Sequence, residues 1–445
     1  MFEEKSVFAD SKNSKEFSDF SKIIKDGIFA DSKNRKFLDS PIKEKQLIGD
    51  LHIHSRFSRA CSKAIDFDNL VKYAKIKGVD LLGTGDFTHP TWFSEIIKLR
   101  EEKGILYYQD FPFVISGEIS LMYTQDGKGR RVHLVLLMPS IEVAKQFNKW
   151  IIQKGRVDYD GRPIFGFSCV ELMDAVKSIS SDIEVIPAHI WTPWFGLFGS
   201  NSGFNSIKQA FQDKEKNIHS IETGMSSDPE MNWKISELNN KTILSFSDMH
   251  SFWPWRIGRE ATIFSRIERY RDLIKQIREN KILGTVETEP AYGKYHYDGH
   301  RACDFSCSPD KTKELLGKCP KCGKNLIIGV ENRVEELTTQ EIDENKNQKP
   351  YYKLLPLHEI ISLTTGTSLA TKKNWEIYNP LIGKFGNEFN IVLKISKEDL
   401  LKSLPKNEKL VELILKNRKG KIKVKPGYDG EYGVAVLGEK QGRLF

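Results

Sequence analysis

The chain has 445 residues, 39% hydrophobic and 29% charged, and a formal net charge of +8, the sign of a polyanion binder. This composition supports a buried core, argues against wholesale disorder, and at this length suggests several domains of roughly 100–200 residues each. No apolar run approaches the roughly 20 residues that cross a bilayer, and none follows Met1, so we expect a cytoplasmic protein with no membrane partner.

Residues 1–46 form a predicted N-terminal extension that is rich in Ser, Lys, Asp and Phe. Within it, the hexapeptide FADSKN begins at Phe8 and again at Phe29. Two copies are too few for a repeat fold. The sequence indicates no function for this extension.

From Leu47 onward, short apolar runs rich in β-branched residues alternate with amphipathic stretches. We expect strands at 47–53, 79–83, 113–116, 132–138, 183–187, 218–222 and 242–246. We expect helices at 67–77, 91–103, 141–154, 168–180 and 230–238. Because this alternation is typical of parallel α/β folds, the sequence predicts a barrel with parallel strands over residues 47–289.

Four of the six cysteines lie close together in a turn-rich region, residues 290–335. The CPKC spacing of the second pair is typical of a zinc knuckle, whereas the three residues between the first pair are a less usual spacing. We predict that four thiolates hold one structural zinc: Cys303, Cys307, Cys319 and Cys322. His296 or His300, just upstream, is the alternative to one member of the first pair.

A second mixed α/β region is predicted over residues 336–440. Its expected helices are 357–364 and 397–416, and its expected strands are 389–395 and 420–424. Lys421 and Lys423 would share one face of the last strand, because side chains two apart point the same way. These lysines favour either contacts with DNA phosphates or protection of a sheet edge.

Side chains that can bind metals follow most of the predicted strands. They are His52, His54, Asp86, His89, Glu118, His133, His189, Asp248 and His250. In a parallel barrel, the carboxyl ends of the strands meet at one face. A single histidine there would more simply be a packed or surface residue, but the repeated placement predicts a centre for zinc, manganese or iron.

The blocks at 50–55 (DLHIHS), 83–89 (GTGDFTH), 117–118 (GE), 188–189 (AH) and 247–250 (SDMH) resemble the polymerase and histidinol phosphatase (PHP) family. The resemblance implies a phosphoesterase with a distorted (β/α)7 barrel that holds two or three divalent metals (Zn, Mn, Mg or Fe). The chain departs from the family at residues 56–62, where many members carry a further histidine.

The resemblance also implies how the ligands are shared among metals. The first metal would be held by His52, His54, Glu118 and Asp248. The second would be held by Glu118, His133 and His189. A third would be held by Asp86, His89 and His250. Glu118, Asp248 and His250 would be the catalytic residues, with Asp248 or His250 assisting proton transfer.

A PHP-type barrel, a zinc-ribbon-like insert and the segment 426–433 (PGYDGEYG) together resemble the endonuclease Q family over residues 47–445. Blocks at 85–90, 189–193 and 329–336 carry the same resemblance. It implies a metal-dependent DNA-repair endonuclease that cuts 5′ of deaminated bases (uracil, hypoxanthine, xanthine) or abasic sites. The alternative is a PHP-type phosphatase of a small phosphate ester, which would not need the zinc module or the lysines.

Aromatic rings beside a hydrolytic centre can stack on an extruded base, although any one tryptophan could instead pack in the core. The predicted DNA contacts are Trp191, Trp194, Trp253, Lys421 and Lys423. The glycine-rich stretch 195–203 is predicted to be a mobile lid over the site. The tail at 441–445, with Gln441, Leu444 and Phe445, resembles peptides that dock on sliding clamps; the alternative is packing on its own domain.

Overall fold

The computed structural model describes residues 46–343 and 348–436. The chain divides into two units, Met1–Lys43 and Glu44–Phe445. The predicted N-terminal extension, apart from its last residue, and the tail residues Gln441, Leu444 and Phe445 lie outside the described residues. In the described part of the chain, no helix is long and apolar enough to cross a membrane.

The strands of the described residues are numbered in chain order. They are β1 (Leu47–Asp50), β2 (Leu81–Gly83), β3 (Arg100–Glu102), β4 (Ile105–Tyr108), β5 (Phe111–Gln125), β6 (Lys128–Met138), β7 (Ile164–Phe165), β8 (Glu184–Pro187), β9 (Ser220–Glu222), β10 (Thr242–Leu244), β11 (Ala261–Phe264), β12 (Gly284–Glu287), β13 (Asp298–His300), β14 (Phe305–Cys307), β15 (Tyr351–Lys353), β16 (Lys423–Lys425) and β17 (Val434–Val436). All seven predicted strands of the 47–289 region are present.

The α-helices are numbered in the same way. They are α1 (Phe67–Lys77), α2 (Pro90–Ile96), α3 (Ile141–Ile151), α4 (Cys169–Ile179), α5 (Ile207–Phe211), α6 (Pro229–Trp233), α7 (Tyr270–Arg278), α8 (Pro309–Glu314), α9 (Val330–Leu337), α10 (Leu357–Thr365), α11 (Lys372–Phe385), α12 (Glu388–Leu393), α13 (Lys397–Ser403) and α14 (Glu408–Arg418).

Local capping explains why α1 has its predicted bounds. The side chain of Asp66 accepts a hydrogen bond from the backbone N–H of Asn69, which caps the helix. Gly78, at a φ of 94°, ends it in the left-handed conformation that favours glycine. The helix predicted at 91–103 is wrong beyond Ile96, because strand β3 begins at Arg100 and turns back into β4.

The large sheet is mixed, which corrects the expectation of parallel strands throughout. Strands β1, β2 and β5 are parallel neighbours. Strand β6 runs antiparallel to β5 because Asp126 and Gly127, both with positive φ, form a two-residue hairpin turn. Strand β11 also returns antiparallel to β1.

Backbone hydrogen bonds continue beyond the ends of several strands. The N–H of Ile190, after β8, donates to the carbonyl of Glu222 at the end of β9 (3.1 Å). The N–H of His54, after β1, donates to the carbonyl of Met249, which follows β10 (3.1 Å). Strands β9 and β10 pair in parallel. These bonds bring the carboxyl ends of β1, β8, β9 and β10 together.

The region after the cysteines contains both helices and strands, but its strands are few and short: β15, β16 and β17. The predicted strand at 389–395 is helix α12, whose first turn is capped by the side chain of Asn387. A short buried apolar run does not by itself distinguish a strand from a helix. The predicted helix at 397–416 is divided into α13 and α14 around Pro405, and the predicted strand at 420–424 is shorter and shifted to β16.

Two carboxyl groups, Glu260 and Glu287, are fully buried and are linked through the hydroxyl of Ser245. Burial raises the pKa of Glu287 to about 8. Burial and the neighbouring Glu287 raise the pKa of Glu260 well above its usual value. Both groups therefore favour the protonated form in the folded protein.

We expect Glu287→Gln to flatten the pH dependence of stability between about pH 5 and 8. The folded protein holds a proton on Glu287 that the unfolded chain releases near pH 4.5, so the free energy of unfolding falls as pH rises through this window. Urea unfolding across the window measures the slope, with the exposed Glu142→Gln as the control. An unchanged slope in E287Q would contradict this assignment.

Candidate metal centre

Glu118, fully buried on β5, lies at the centre of the site. Its Oε1 atom is 2.7 Å from His133 Nδ1 and 3.1 Å from His189 Nε2. Its Oε2 atom is 3.5 Å from His52 Nε2 and 3.4 Å from His54 Nε2. The two oxygens of one carboxylate therefore face two different pairs of histidines.

Two groups of side chains share Glu118, and in each the ligand atoms all lie within 4.8 Å of one another. The first group is His52, His54, Glu118 and Asp248. The second group is Glu118, His133 and His189. The structure thus brings together the residues that the family resemblance implies for the first two metals. Histidine nitrogen and carboxylate oxygen form a donor set that suits zinc and related divalent ions.

Two carboxylates outside the ligand groups, those of Glu222 and Asp86, orient the histidines of the first group. His52 Nδ1 lies 2.9 and 3.0 Å from the two carboxylate oxygens of Glu222. His54 Nδ1 lies 3.0 Å from Asp86 Oδ1. Because a carboxylate on Nδ1 fixes the tautomer and the ring orientation, Nε2 of each ring is left to bind a metal.

The loop that carries Asp248 is anchored to the strand that precedes His52. Asp50 Oδ1 accepts a hydrogen bond from the N–H of Ser247 (3.0 Å), and its Oδ2 accepts one from the N–H of Gly258 (2.9 Å). Burial raises the pKa of Asp50 to about 6. Asp248 itself has a φ of 47°, a conformation that these contacts help to impose.

The charges around His52 suit a cation. Burial alone would lower the pKa of His52, but Glu222, Glu118 and Asp248 raise it well above its usual value. The Nε2 atom of His52 is buried and has no hydrogen-bond partner among the described residues. A divalent ion in the first group would satisfy this nitrogen and offset the carboxylates, so the residues present fit such an ion.

Asp86 orients a ligand and is not placed as one. Its Oδ2 accepts hydrogen bonds from the N–H and hydroxyl of Ser55 (both 2.6 Å) and from the hydroxyl of Ser58 (2.9 Å). Its Oδ1 is occupied by His54. The expectation that Asp86 binds a third metal is therefore corrected, because both of its oxygens are already used.

His89 and His250 do not join Asp86 in a ligand group within the described residues. His89 caps α2 by accepting from the N–H of Trp92, and its ring stacks on Phe57 at 4.2 Å. His250 lies over the first group, where its ring is 4.7 Å from that of His54. His89 thus caps α2 through Nδ1, and its binding of a third metal stays a prediction, while His250 lies next to the centre.

A cavity of about 910 Å³ opens over the centre, and its wall includes Asp248 and His250. Of the tryptophans predicted to contact DNA, Trp194 and Trp253 line this cavity. Trp191 does not, because it is fully buried and donates a hydrogen bond from Nε1 to the side chain of Asn232 (2.9 Å). The expectation for Trp191 is corrected: it is a core residue.

The glycine-rich stretch 195–203 is a packed loop and not a free lid. A Cβ atom on Gly196, Gly199 or Gly203 would overlap backbone atoms of the same loop or of the segment before it. The N–H of Phe198 donates to the carbonyl of Ile190 (2.7 Å), which ties the stretch to the end of β8. Glycine is needed here for close backbone approach.

Lys421 and Lys423 are exposed, as expected for either of their predicted roles. Strand β16 pairs with β17, and two residues that alternate with the lysines, Ile422 and Val424, are half-buried. The lysines therefore share an exposed face.

His300 and three of the four clustered cysteines form a separate group. Its members are His300, Cys303, Cys319 and Cys322, with ligand atoms within 4.8 Å of one another. Burial would raise the pKa of the Cys319 thiol, but hydrogen bonds from the backbone N–H groups of Lys321 and Cys322 lower it. The lowered pKa favours the thiolate, the form that binds zinc.

Cys307 is not a member of this group, which corrects its predicted role. Its Sγ atom lies 3.3 Å from the hydroxyl of Thr312. His300, whose Nδ1 is 3.6 Å from Cys322 Sγ, stands in its place. The less usual spacing of the first cysteine pair left this alternative open.

Curated relatives match different parts of the chain. The family described as the MJ0043 C-terminal domain matches residues 356–421. MJ0043 of Methanocaldococcus jannaschii is 36% identical over 293 residues, which is 64% of this chain but only 35% of that protein, so the chain spans about a third of its length. YqxK of Bacillus subtilis is 27% identical over 410 residues, 87% of this chain and 99% of YqxK.

Two solved structures match most of the chain. The lesion-specific endonuclease PfuEndoQ of Pyrococcus furiosus has a TM-score of 0.79 at 29% identity, covering 89% of this chain and 96% of that one. Endonuclease Q bound to a 27-mer duplex substrate, with an abasic lesion at its active site, has a TM-score of 0.80 at 30% identity, covering 89% and 97%. The chain belongs to the endonuclease Q family. Its fold matches the two solved endonuclease Q structures over nearly their whole length.

Sequence reasoning missed two residues of this endonuclease Q family site. Glu222 ends β9, the same position at a strand end that identified the other ligands, so the signal was present. Arg162, which donates a hydrogen bond to Glu118 (3.1 Å), lies in a loop before the two-residue strand β7. No pattern in the sequence marks that loop.

Proposed function

We propose that this protein is a metal-dependent DNA endonuclease of DNA repair. It hydrolyses the phosphodiester 5′ of deaminated bases (uracil, hypoxanthine, xanthine) and of abasic sites. The observation that carries the proposal is Glu118, whose two oxygens face two ligand groups below a large cavity. The solved relatives support it, since one is named a lesion-specific endonuclease and the other holds an abasic duplex at its active site.

We infer that the seven strands predicted from the sequence (β1, β2, β5, β6, β8, β9 and β10) form a distorted PHP barrel with boundaries near 47–289. The hydrogen bonds that join the ends of β8 to β9 and of β1 to β10 support this closure. Residues 290–335 would be the zinc module, and 336–440 the region that binds DNA. The docking of residues 441–445 on a sliding clamp stays a prediction from their sequence.

We infer that two divalent ions (Zn, Mn, Mg or Fe) occupy the two groups around Glu118. When bound, such an ion pair lowers the pKa of water and offsets charge on the attacking and leaving oxygens of a phosphodiester. The protein holds the pair through Glu118 and fixes the rings of the first group through Glu222 and Asp86. A structural zinc would be held by His300, Cys303, Cys319 and Cys322.

His250 is placed to move a proton during hydrolysis. Its Nδ1 hydrogen-bonds to the backbone carbonyl of Asp248 (2.9 Å), which fixes the tautomer with Nε2 as the acceptor. The imidazole lines the cavity beside Asp248. It can therefore exchange a proton with water or with the leaving oxygen while Asp248 stays ionised.

Trp194 and Trp253 are the proposed contacts for an extruded base. Both line the cavity above the catalytic groups, and Trp253 is held in place by parallel stacking on Trp255 (5.5 Å). Stacking on a fixed ring would bind many bases without reading their edges, which fits several different lesions. Lys421 and Lys423 would contact backbone phosphates.

We expect Glu222→Gln to weaken metal binding by about 10–100-fold. The neutral amide would no longer fix the orientation of the His52 ring or raise the basicity of its Nε2 atom. Competition with a fluorescent chelator measures this. Glu184→Gln is the matched control, since Glu184 is an equally buried partner of a different histidine, His219. Equal metal affinity in E222Q and wild type would remove the orienting role of Glu222.

The proposed function is tested with end-labelled duplexes that carry one deoxyuridine, deoxyinosine, deoxyxanthosine or abasic site, beside a matched thymidine control. We expect one cut on the 5′ side of each lesion and an intact control. Release of phosphate from a small ester, with no cut in any duplex, would favour the phosphatase alternative instead.

A further inference from the structure

Arg162 is delivered to the metal centre by a loop that precedes β7. Within this loop, the Asp160 carboxylate accepts hydrogen bonds from the backbone N–H of Arg162 (3.1 Å) and from that of Arg59 (3.3 Å). The carbonyl of Pro163 accepts from the N–H of Ser120 on β5 (3.0 Å). The backbone at Arg162 is thus held on both sides.

Gly161 packs this loop directly against the residues that orient the histidines. A Cβ atom at this position would overlap the Asp86 carboxylate and the Ser58 hydroxyl. The N–H of Gly161 donates to the carbonyl of Phe57 (3.2 Å). Since only glycine allows this approach, the position of the next residue, Arg162, is set by the same packing as the ligands.

The guanidinium of Arg162 uses one of its donors on the metal centre. Its Nη1 lies 3.1 Å from Glu118 Oε2, the oxygen that faces the first ligand group. The side chain is 24% exposed, and its other N–H groups have no hydrogen-bond partner among the described residues. Arginine–carboxylate pairs are frequently bidentate, whereas Arg162 contacts Glu118 through Nη1 alone. Here most of the fork stays available to a ligand.

Arg162 is always charged, because a guanidinium does not lose its proton in proteins. Its partner Glu118 belongs to the same ligand group as Asp248. Asp248 and His250 both lie in the cavity wall. The guanidinium is therefore bound to the ligand group over which the cavity opens.

We propose that Arg162 is a catalytic residue that binds a non-bridging oxygen of the scissile phosphate. The inference rests on the proposed function and adds a fixed positive charge beside the two ligand groups. The planar fork of arginine matches phosphate oxygens, and a preorganised donor is most effective where negative charge increases in the transition state. No bond to Arg162 is made or broken.

The test compares Arg162→Gln and Arg162→Lys with wild type on an abasic duplex. We expect kcat to fall about 10²–10³-fold in R162Q, with part of the loss restored in R162K. Arg156→Gln is the matched control, because Arg156 precedes the same loop, is 74% exposed and forms its ion pair with Asp158 and not with a residue of the metal centre. A wild-type rate in R162Q would overturn the proposal.

Two measurements distinguish phosphate binding by Arg162 from a role in holding Glu118 in place. Metal content should stay at the wild-type level in R162Q, whereas loss of metal would reassign Arg162 to holding Glu118. Binding of inorganic phosphate to the metal-loaded protein should weaken at least about tenfold in R162Q, the usual loss for a hydrogen bond to a charged group. Equal phosphate affinity would overturn the proposal. This binding test needs no nuclease activity, so it remains decisive if the wild type cuts no lesion duplex and the proposed function fails.

Discussion

Glu118→Gln is expected to abolish cleavage and to remove both ions of the centre. The substitution keeps the size of the side chain, but it leaves one neutral oxygen where two charged oxygens face the two ligand groups. We expect the rate on a lesion duplex to fall at least about 1,000-fold, because the charge stabilisation by both ions is lost together. Elemental analysis and single-turnover cleavage are the measurements.

Glu184→Gln is the control for this variant, because Glu184 is also a buried glutamate but lies at the start of β8, where it pairs with His219 and Arg278. It should keep its metals and its activity. Unfolding in urea identifies any general loss of stability. Retained metal with retained cleavage in E118Q would mean that Glu118 does not bridge the two groups.

Cys319→Ser combined with Cys322→Ser is expected to remove one zinc per chain and to unfold the module around β13 and β14. Structural zinc contributes about 10–16 kcal/mol of apparent binding free energy in small modules, far more than the few apolar contacts here. The buried cluster of this module contains Cys307, Cys319 and Leu326. Elemental analysis and amide hydrogen exchange measure the two effects.

Two single variants separate the predicted ligand sets of the zinc module. His300→Ala should lose the zinc, whereas Cys307→Ser should retain it, since Cys307 bonds to Thr312 and lies outside the ligand group. The opposite pattern would restore the four-cysteine site that the sequence alone favours.

The centre was predictable because its chemistry lies at the ends of apolar runs. His52 and Asp248 each follow such a run, and the ends of β1 and β10 lie together in the structure. Glu118 also follows a predicted run, although β5 continues past it to Gln125. The direction of the strands was less predictable. The Asp126-Gly127 turn makes β6 antiparallel to β5, and a two-residue signal of this kind is easily missed beside long helical patterns.

The roles of individual polar residues depend on contacts that spacing does not contain. Asp86 carries the right chemistry for a metal, but the ring of His54 and the hydroxyls of Ser55 and Ser58 contact its two oxygens. Trp191 is packed in the core, while Trp194, three residues later, lines the cavity. Arg162 reaches the centre because Gly161 allows its loop to pack against Asp86, a long-range contact that no local pattern indicates.

The most direct test of the central claim uses protein stripped of metal by a chelator and an end-labelled duplex with one abasic site. We expect no cleavage until Mn²⁺ or Zn²⁺ is added, then a single cut on the 5′ side of the lesion, with a matched intact duplex left whole. Cleavage by the stripped protein, or equal cleavage of the intact duplex after metal is added, would contradict a metal-dependent, lesion-specific endonuclease.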